Sequence, residues 1–207
     1  MKLTILGASG RVGRQVAQLA LARGHEVTVC VRDAARWNGE PAARVRVVGS
    51  ATDTAAMREA LRGADVVVSA VGARDVSQPT TVVTDTVRTL VEAMRAEGLK
   101  RAVTVGAAGL LPRPDGRLAG EGTLPPFLIH AFNDHRGALS ALQESGLDWT
   151  LVCPPFISDA ERTGQYRLFE ERPLEGLGQV ASGDVADLVL RVAEEPRFRQ
   201  VRVGISY

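Results

Sequence analysis

The feature that most limits how this chain can fold is a unit that recurs four times. A helical apolar pattern ends in a glycine, and an apolar run follows within a few residues. The glycines are Gly24, Gly63, Gly98 and Gly146, and the runs are Glu26–Val31, 65–70, Arg101–Val105 and 149–152. The residue just past a helix's last turn usually takes a left-handed conformation, which glycine adopts without a Cβ clash. The runs (VTVCV, VVVSAV, AVTV, WTLV) are β-branched and almost uninterrupted, as in strands covered on both faces. Lys2–Leu6 and 44–48 fit further strands, and 201–205 a short last one.

The segments between carry the helical period. Val12, Val16, Leu19 and Ala20 form one stripe, Val83, Val87, Leu90, Val91 and Met94 a second, and Val185, Leu188, Val189 and Val192 a third. Asp53 is a cap for a helix bearing Met57, Ala60 and Leu61, and Ser182 for the last helix. Alternating strands and helices specify an α/β fold with a parallel sheet. Right-handed crossovers put helices on both faces. The expectation is a single doubly wound Rossmann domain over 1–207, with six or seven strands in an order beginning 3-2-1-4-5-6. Two segments break the rhythm, 107–132 and 154–178. Both follow strands at the sheet's carboxyl edge, where such folds bind ligands, and both are read as substrate loops.

Composition removes several classes of function. Lys+Arg total 25 against 24 Asp+Glu, a net charge of +1, so no nucleic-acid surface is expected. No run of about 18 apolar residues marks a membrane helix, and MKLTILGASG looks like a first strand and not a signal peptide. The cytoplasm is the expected setting. Cys30 and Cys153 lie in apolar runs and read as buried free thiols. Three scattered histidines and no cysteine pair at useful spacing give no metal site. No G-x-S-x-G elbow supports hydrolase chemistry.

The strongest motif is Gly7-Ala8-Ser9-Gly10-Arg11-Val12-Gly13, between the first strand and the first helix. Gly7 permits the sharp turn, Gly10 lets the backbone approach a pyrophosphate, and Gly13 lets helix and strand pack closely. The helix N-terminus supplies unpaired N–H groups and a partial positive charge for phosphates. The second strand ends Cys30-Val31-Arg32-Asp33-Ala34-Ala35-Arg36, where an NAD site would carry an acidic residue. Arg32 stands at the discriminating position, and Arg36 reaches the same point if a helical turn begins there. Two guanidinium groups suit a 2′-phosphate, so NADP is expected over NAD. A solvated Arg–Asp surface pair is the other reading of these residues.

These motifs carry a resemblance. LGASGRVGRQV, CVRDAAR, VVG at 47–49, SAVG at 69–72 and ESGLDWTLVCPPFI at 144–157 are similar to the atypical short-chain dehydrogenase/reductases. The chain most resembles the NAD(P)H-binding proteins similar to flavin reductase and biliverdin-IX-beta reductase. The resemblance implies cofactor contacts at Gly7 to Gly13, Arg32, Arg36, Ser50 near the adenine, Ala70, Val71 and Gly72, Thr104 to Ala107, and Pro154 to Phe156. It also implies a substrate site at Ala107, His135 and Phe156. The chain departs from those relatives at Ser50, where they often have an acidic residue. It departs again at Ala107 in place of a serine and at Phe156 in place of a histidine, which makes the substrate pocket more apolar.

Tyr-x-x-x-Lys chemistry is excluded: the only tyrosines are Tyr166 and Tyr207, the only lysines Lys2 and Lys100, and Glu170 stands four residues after Tyr166. A flat ring stacked on nicotinamide needs no such acid, since its proton can come from water. His130 and His135 flank a helix start near Asn133-Asp134, a cap region. His135 is a candidate proton donor or anion ligand, against a capping or surface role. Phe127, Phe132 and Phe156 form either an aromatic wall for a planar substrate or ordinary core. The expected function is an NADPH-dependent reductase of a flavin, quinone or similar planar acceptor, working as a monomer or homodimer. The alternative is a non-catalytic NmrA-like redox sensor that binds a protein partner. A nucleotide-sugar epimerase is disfavoured by the missing Tyr/Lys pair and substrate domain.

Overall fold

The computed structural model of the protein describes residues 1–50, 52–176 and 178–207, with the backbone but not the side chain of Arg36. Arg36, expected beside the 2′-phosphate, therefore has its side chain outside the described residues. The first half runs β1 (Lys2–Leu6), α1 (Arg11–Ala22), β2 (Glu26–Val31), β3 (Arg44–Val47), α2 (Thr54–Leu61), β4 (Val66–Ser69) and α3 (Val82–Ala96). The second half runs β5 (Arg101–Val105), α4 (Ile129–Gln143), β6 (Asp148–Cys153), β7 (Phe156–Ser158), β8 (Arg167–Glu170), β9 (Gln179–Ala181), α5 (Ser182–Glu194) and β10 (Val201–Ser206).

The main sheet has the order β3-β2-β1-β4-β5-β6-β10-β8, parallel except for β8, which runs antiparallel to β10. The Rossmann core order 3-2-1-4-5-6 is as read from the sequence, but among the described residues the sheet has eight strands, not six or seven. The additions come from the segment 154–178, which is less irregular than expected. It supplies β7, which pairs with β9 as a separate two-stranded sheet, and the edge strand β8.

Strand alternation sorts the core into two layers. Leu3 and Ile5 of β1 and Val66 and Val68 of β4 pack with α1 and α5, where Val16, Val185, Leu188 and Val189 are buried. Leu6 and Val67 face the other way, against Met57, Val87, Leu90 and Leu142 from α2, α3 and α4. Burying one such side chain stabilises by about 1.5–3 kcal/mol. The helix-ending glycines Gly24, Gly63, Gly98 and Gly146 all have positive φ, between 67° and 78°.

Two capping expectations fail, for tertiary reasons. Ser182 does not cap α5. It is the helix's first residue, and its hydroxyl accepts from Gln15 Nε2 and donates to the Ala160 carbonyl. Asn133-Asp134 is not a cap region for α4, which already begins at Ile129. Asp134 instead reaches across to α3 and accepts from the amides of Val83 (3.0 Å) and Thr84 (2.8 Å). The Thr84 hydroxyl returns a bond to the Asp134 carbonyl at 2.6 Å.

Candidate cofactor site

The site is built where β1 stops and α1 begins. Gly7 has φ of +73°, and a Cβ there would lie 2.6 Å from the carbonyl oxygen of Ala70. A Cβ on Gly13 would run into the Gly7 carbonyl, so helix and strand touch through backbone alone. Ala8, Val12 and Gly13 are buried beneath the turn, while Ser9, Gly10 and Arg11 are exposed on it. Gly10 is the N-cap of α1, no side chain caps that end, and its first turn holds no acidic residue. Among the described residues the amides of Arg11, Val12 and Gly13 have no protein acceptor. Donors left open at a helix N-terminus fit an anion.

A cleft of about 660 Å³ opens above this turn. Gly7, Ser9 and Gly10 line its centre, and Ala70, Val71 and Gly72 extend β4 along one side. Leu6, Cys30, Val31, Val48 and Met57 form an apolar wall at the β2 end, with Arg32 and Asp33 at its rim. Arg32 is exposed and has no acceptor among the described residues. Asp33 accepts from Ala35 N at 3.0 Å and so starts the short 3-10 turn Ala34–Arg36. The backbone of Arg36 closes this turn, which begins two residues after Arg32. Burial pushes the Cys30 thiol up to about 12, opposed by the nearby Arg46.

The other expected site residues lie away from this cleft. The Ser50 hydroxyl is engaged with Thr52, 2.9 Å from its hydroxyl and 3.2 Å from its amide. Thr104 is buried inside the sheet, in register with Ser69, and neither hydroxyl has a partner among the described residues. Pro154 is buried, and its carbonyl accepts from Ala108 N at 2.8 Å, which joins the two long segments. Ala107 is half-buried beside that contact. Phe156 is 52% exposed and Phe127 51%, whereas Phe132 belongs to the core against Gly109 and Gly120. The aromatic residues therefore divide, with only Phe127 and Phe156 open to a ligand. His135 lies within α4; burial pulls it below its ordinary value of 6.5, with Asp134 opposing. The Tyr166 phenol donates to Asp187 at 2.7 Å, and burial pushes it above its usual range.

Sequence reasoning missed one wall. Ala73, Arg74, Asp75, Gln78 and Thr80, between β4 and α3, line the cleft. Asp75 accepts from the Ser77 hydroxyl and amide, which hold its carboxyl below the usual range. The signal was available: the run RDVSQPTT is polar, contains proline, and follows a strand at the carboxyl edge.

The glycine turn, the uncapped helix and the strand order point to a dinucleotide fold, and comparison with known proteins agrees. A family model described as NAD(P)H-binding matches residues 7–196. The chain belongs to this NAD(P)H-binding family. Among its relatives, the uncharacterized YwnB of Bacillus subtilis (strain 168) is 28% identical over 99% of this chain and 98% of its own. A Burkholderia pseudomallei structure, named as an exported protein, is 29% identical with a TM-score of 0.87, covering all of both chains. A Streptococcus pneumoniae TIGR4 structure, named as an NADH-flavin reductase, is 26% identical with a TM-score of 0.80 over 99% of this chain and 98% of that one. These likenesses agree with the atypical short-chain dehydrogenase/reductase type. Within this NAD(P)H-binding protein, no helix among the described residues is long and apolar enough to cross a membrane.

Proposed function

We propose that the chain is an NADPH-dependent reductase that passes hydride to a planar acceptor such as a flavin or quinone. The observation that carries this reading is the uncapped N-terminus of α1 opening into a cleft whose β2 rim carries Arg32, unpaired among the described residues. Ser9, Gly10 and the amides of Arg11, Val12 and Gly13 hold the diphosphate, with Gly7 and Ala8 shaping the turn beneath. Arg32 and Arg36 clasp the 2′-phosphate, and Ser50 borders the adenine. Ala70, Val71 and Gly72 flank the ribose. Thr104, Pro154 and Phe156 approach the nicotinamide chiefly through backbone, and Ala107, His135 and Phe156 border the acceptor. When bound, the reduced nicotinamide supplies the hydride. The chain's own contribution is to position a flat ring against it and to exclude water. The description of one relative as an NADH-flavin reductase supports the acceptor class.

All of this is assigned to one Rossmann unit over 1–207, acting on a small substrate as a monomer or homodimer. Two free buried thiols support a cytoplasmic setting. The engagement of Tyr166 with Asp187 favours a second reading, a dinucleotide sensor without chemistry of its own. Incubation with NADPH and a panel of flavins and quinones separates the two, followed by loss of NADPH absorbance. Turnover above the protein-free rate is expected of a reductase. Tight NADPH binding with no turnover on any acceptor would establish the sensor.

A further inference from the structure

The arginines of this chain divide by location. Around the adenosine end they are free: Arg32 and Arg74 line the cleft, Arg46 stands in register with Cys30 in its wall, and none has an acceptor among the described residues. Along the two long segments they are all engaged. Arg113 donates to the carbonyls of Ala119 and Glu121 at 2.6 and 3.1 Å. Arg117 pairs with Asp115 (2.7 Å), Arg162 with Asp187 (2.9 Å), and Arg167 and Arg172 share Glu175. Arg136, on α4, lies over the Phe132 ring and faces Glu121 at 3.9 Å. Neither segment contains a lysine.

Beside these engaged arginines, several of them exposed, the segments present exposed apolar side chains and two carboxylates unpaired among the described residues. Phe127, Ile129 and Phe156 are 51%, 44% and 52% exposed. Three and five residues beyond Phe156, Asp159 and Glu161 are exposed carboxylates with no cation partner among the described residues. A phosphate or carboxylate brought beside Phe156 would lose hydration, would meet these two carboxylates, and would find guanidinium groups already engaged by Asp187 and Glu175. An uncharged ring loses nothing of the kind and buries apolar surface.

Building on the reductase reading above, we propose that the acceptor is an uncharged planar ring compound, and that phosphorylated or carboxylated acceptors are selected against by this distribution of charge. Reduction of such a ring takes one hydride from NADPH and one proton from water, and leaves NADP and the dihydro ring. The positive charge at the β2 rim of the cleft is reserved for the dinucleotide's phosphates.

The test is a matched pair, riboflavin and flavin mononucleotide, which share one ring and differ by a phosphate. NADPH binding is first established by calorimetry, and each flavin is then assayed for binding to the NADP complex and for NADPH oxidation. Riboflavin is expected to be favoured in kcat/KM by about tenfold, an ordinary worth for one uncompensated charge. Phe156→Arg should narrow that gap by improving the mononucleotide. A preference below about threefold, or a reversed one, overturns the inference while leaving the reductase reading intact. Absence of both flavin binding and turnover, with NADPH still bound, overturns the inference, and the reductase reading falls with it when the quinones are not reduced either. Absence of NADPH binding removes the dinucleotide reading itself.

Discussion

The Arg11 guanidinium donates to the Ile157 carbonyl at 2.8 Å, across 146 residues of sequence. The bond ties the exposed edge of the glycine turn to β7, one residue beyond Phe156. The proposed cofactor turn and the proposed acceptor loop are therefore directly linked. We expect Arg11→Ala to lower stability by about 0.5–1.5 kcal/mol, the net worth of one such bond. We expect it also to lower kcat/KM for the acceptor more than it weakens NADPH binding. Thermal unfolding with parallel calorimetry and kinetics measures the split. Equal loss on both would show that the bond does not position the acceptor side.

The glycine turn makes a second expectation. Gly13→Ala puts a methyl group against the Gly7 carbonyl and has to open the strand–helix contact. A cost of about 1–3 kcal/mol is expected, with loss of dinucleotide binding. Gly72→Ala is the control: its Cβ meets nothing within 4 Å. It should leave the melting temperature unchanged while intruding on the cleft. Unchanged NADPH affinity in Gly13→Ala would remove the turn from the binding site.

Asp134 tests the frame that holds α3 and α4 together. Asp134→Ala strands the amides of Val83 and Thr84 in a buried contact, at about 1–3 kcal/mol. Asp134→Asn keeps one acceptor and should lose less. Denaturant unfolding of the two variants checks the order.

Acid sensitivity should be traceable to Asp184. Burial pushes this carboxyl up, but hydrogen bonds from Thr163, Gly164 and Tyr207 outweigh it and hold the group below its ordinary 3.8. A carboxyl with a depressed folded value stabilises the fold above its unfolded value, and that contribution is lost as pH falls through the folded one. Stability should therefore decline below about pH 4, and less steeply in Asp184→Asn. Parallel declines in urea titrations across pH would assign the acid sensitivity elsewhere.

Both cysteines are buried, and burial raises both thiols. No fast reaction with a thiol reagent is expected at pH 8, and both groups should react on unfolding. A fast stoichiometric reaction of the native protein would contradict the placement of Cys30 in the cleft wall.

Local rules carried the sequence reading as far as local rules apply. Glycines ending helices and β-branched runs gave the alternating elements, and the glycine turn gave the site. The segment 154–178 escaped because β7 and β8 are short and pair with β9 and β10, partners that lie far along the chain. Asp134 and Ser182 escaped because each is a plausible local cap whose side chain is taken by a neighbouring element. Arg74 escaped because nothing local shows that its loop folds back over the cleft, whereas Arg32 was legible from its place at the end of β2.

The most direct measurement is calorimetric titration of NADPH and NADH into the native protein and into Arg32→Ala. The native protein should bind NADPH more tightly than NADH. The variant should lose about tenfold or more in NADPH affinity, consistent with one charge-assisted phosphate contact, and keep its NADH affinity. Equal losses for both nucleotides would show that Arg32 does not read the 2′-phosphate, and no heat with either would contradict the dinucleotide site itself.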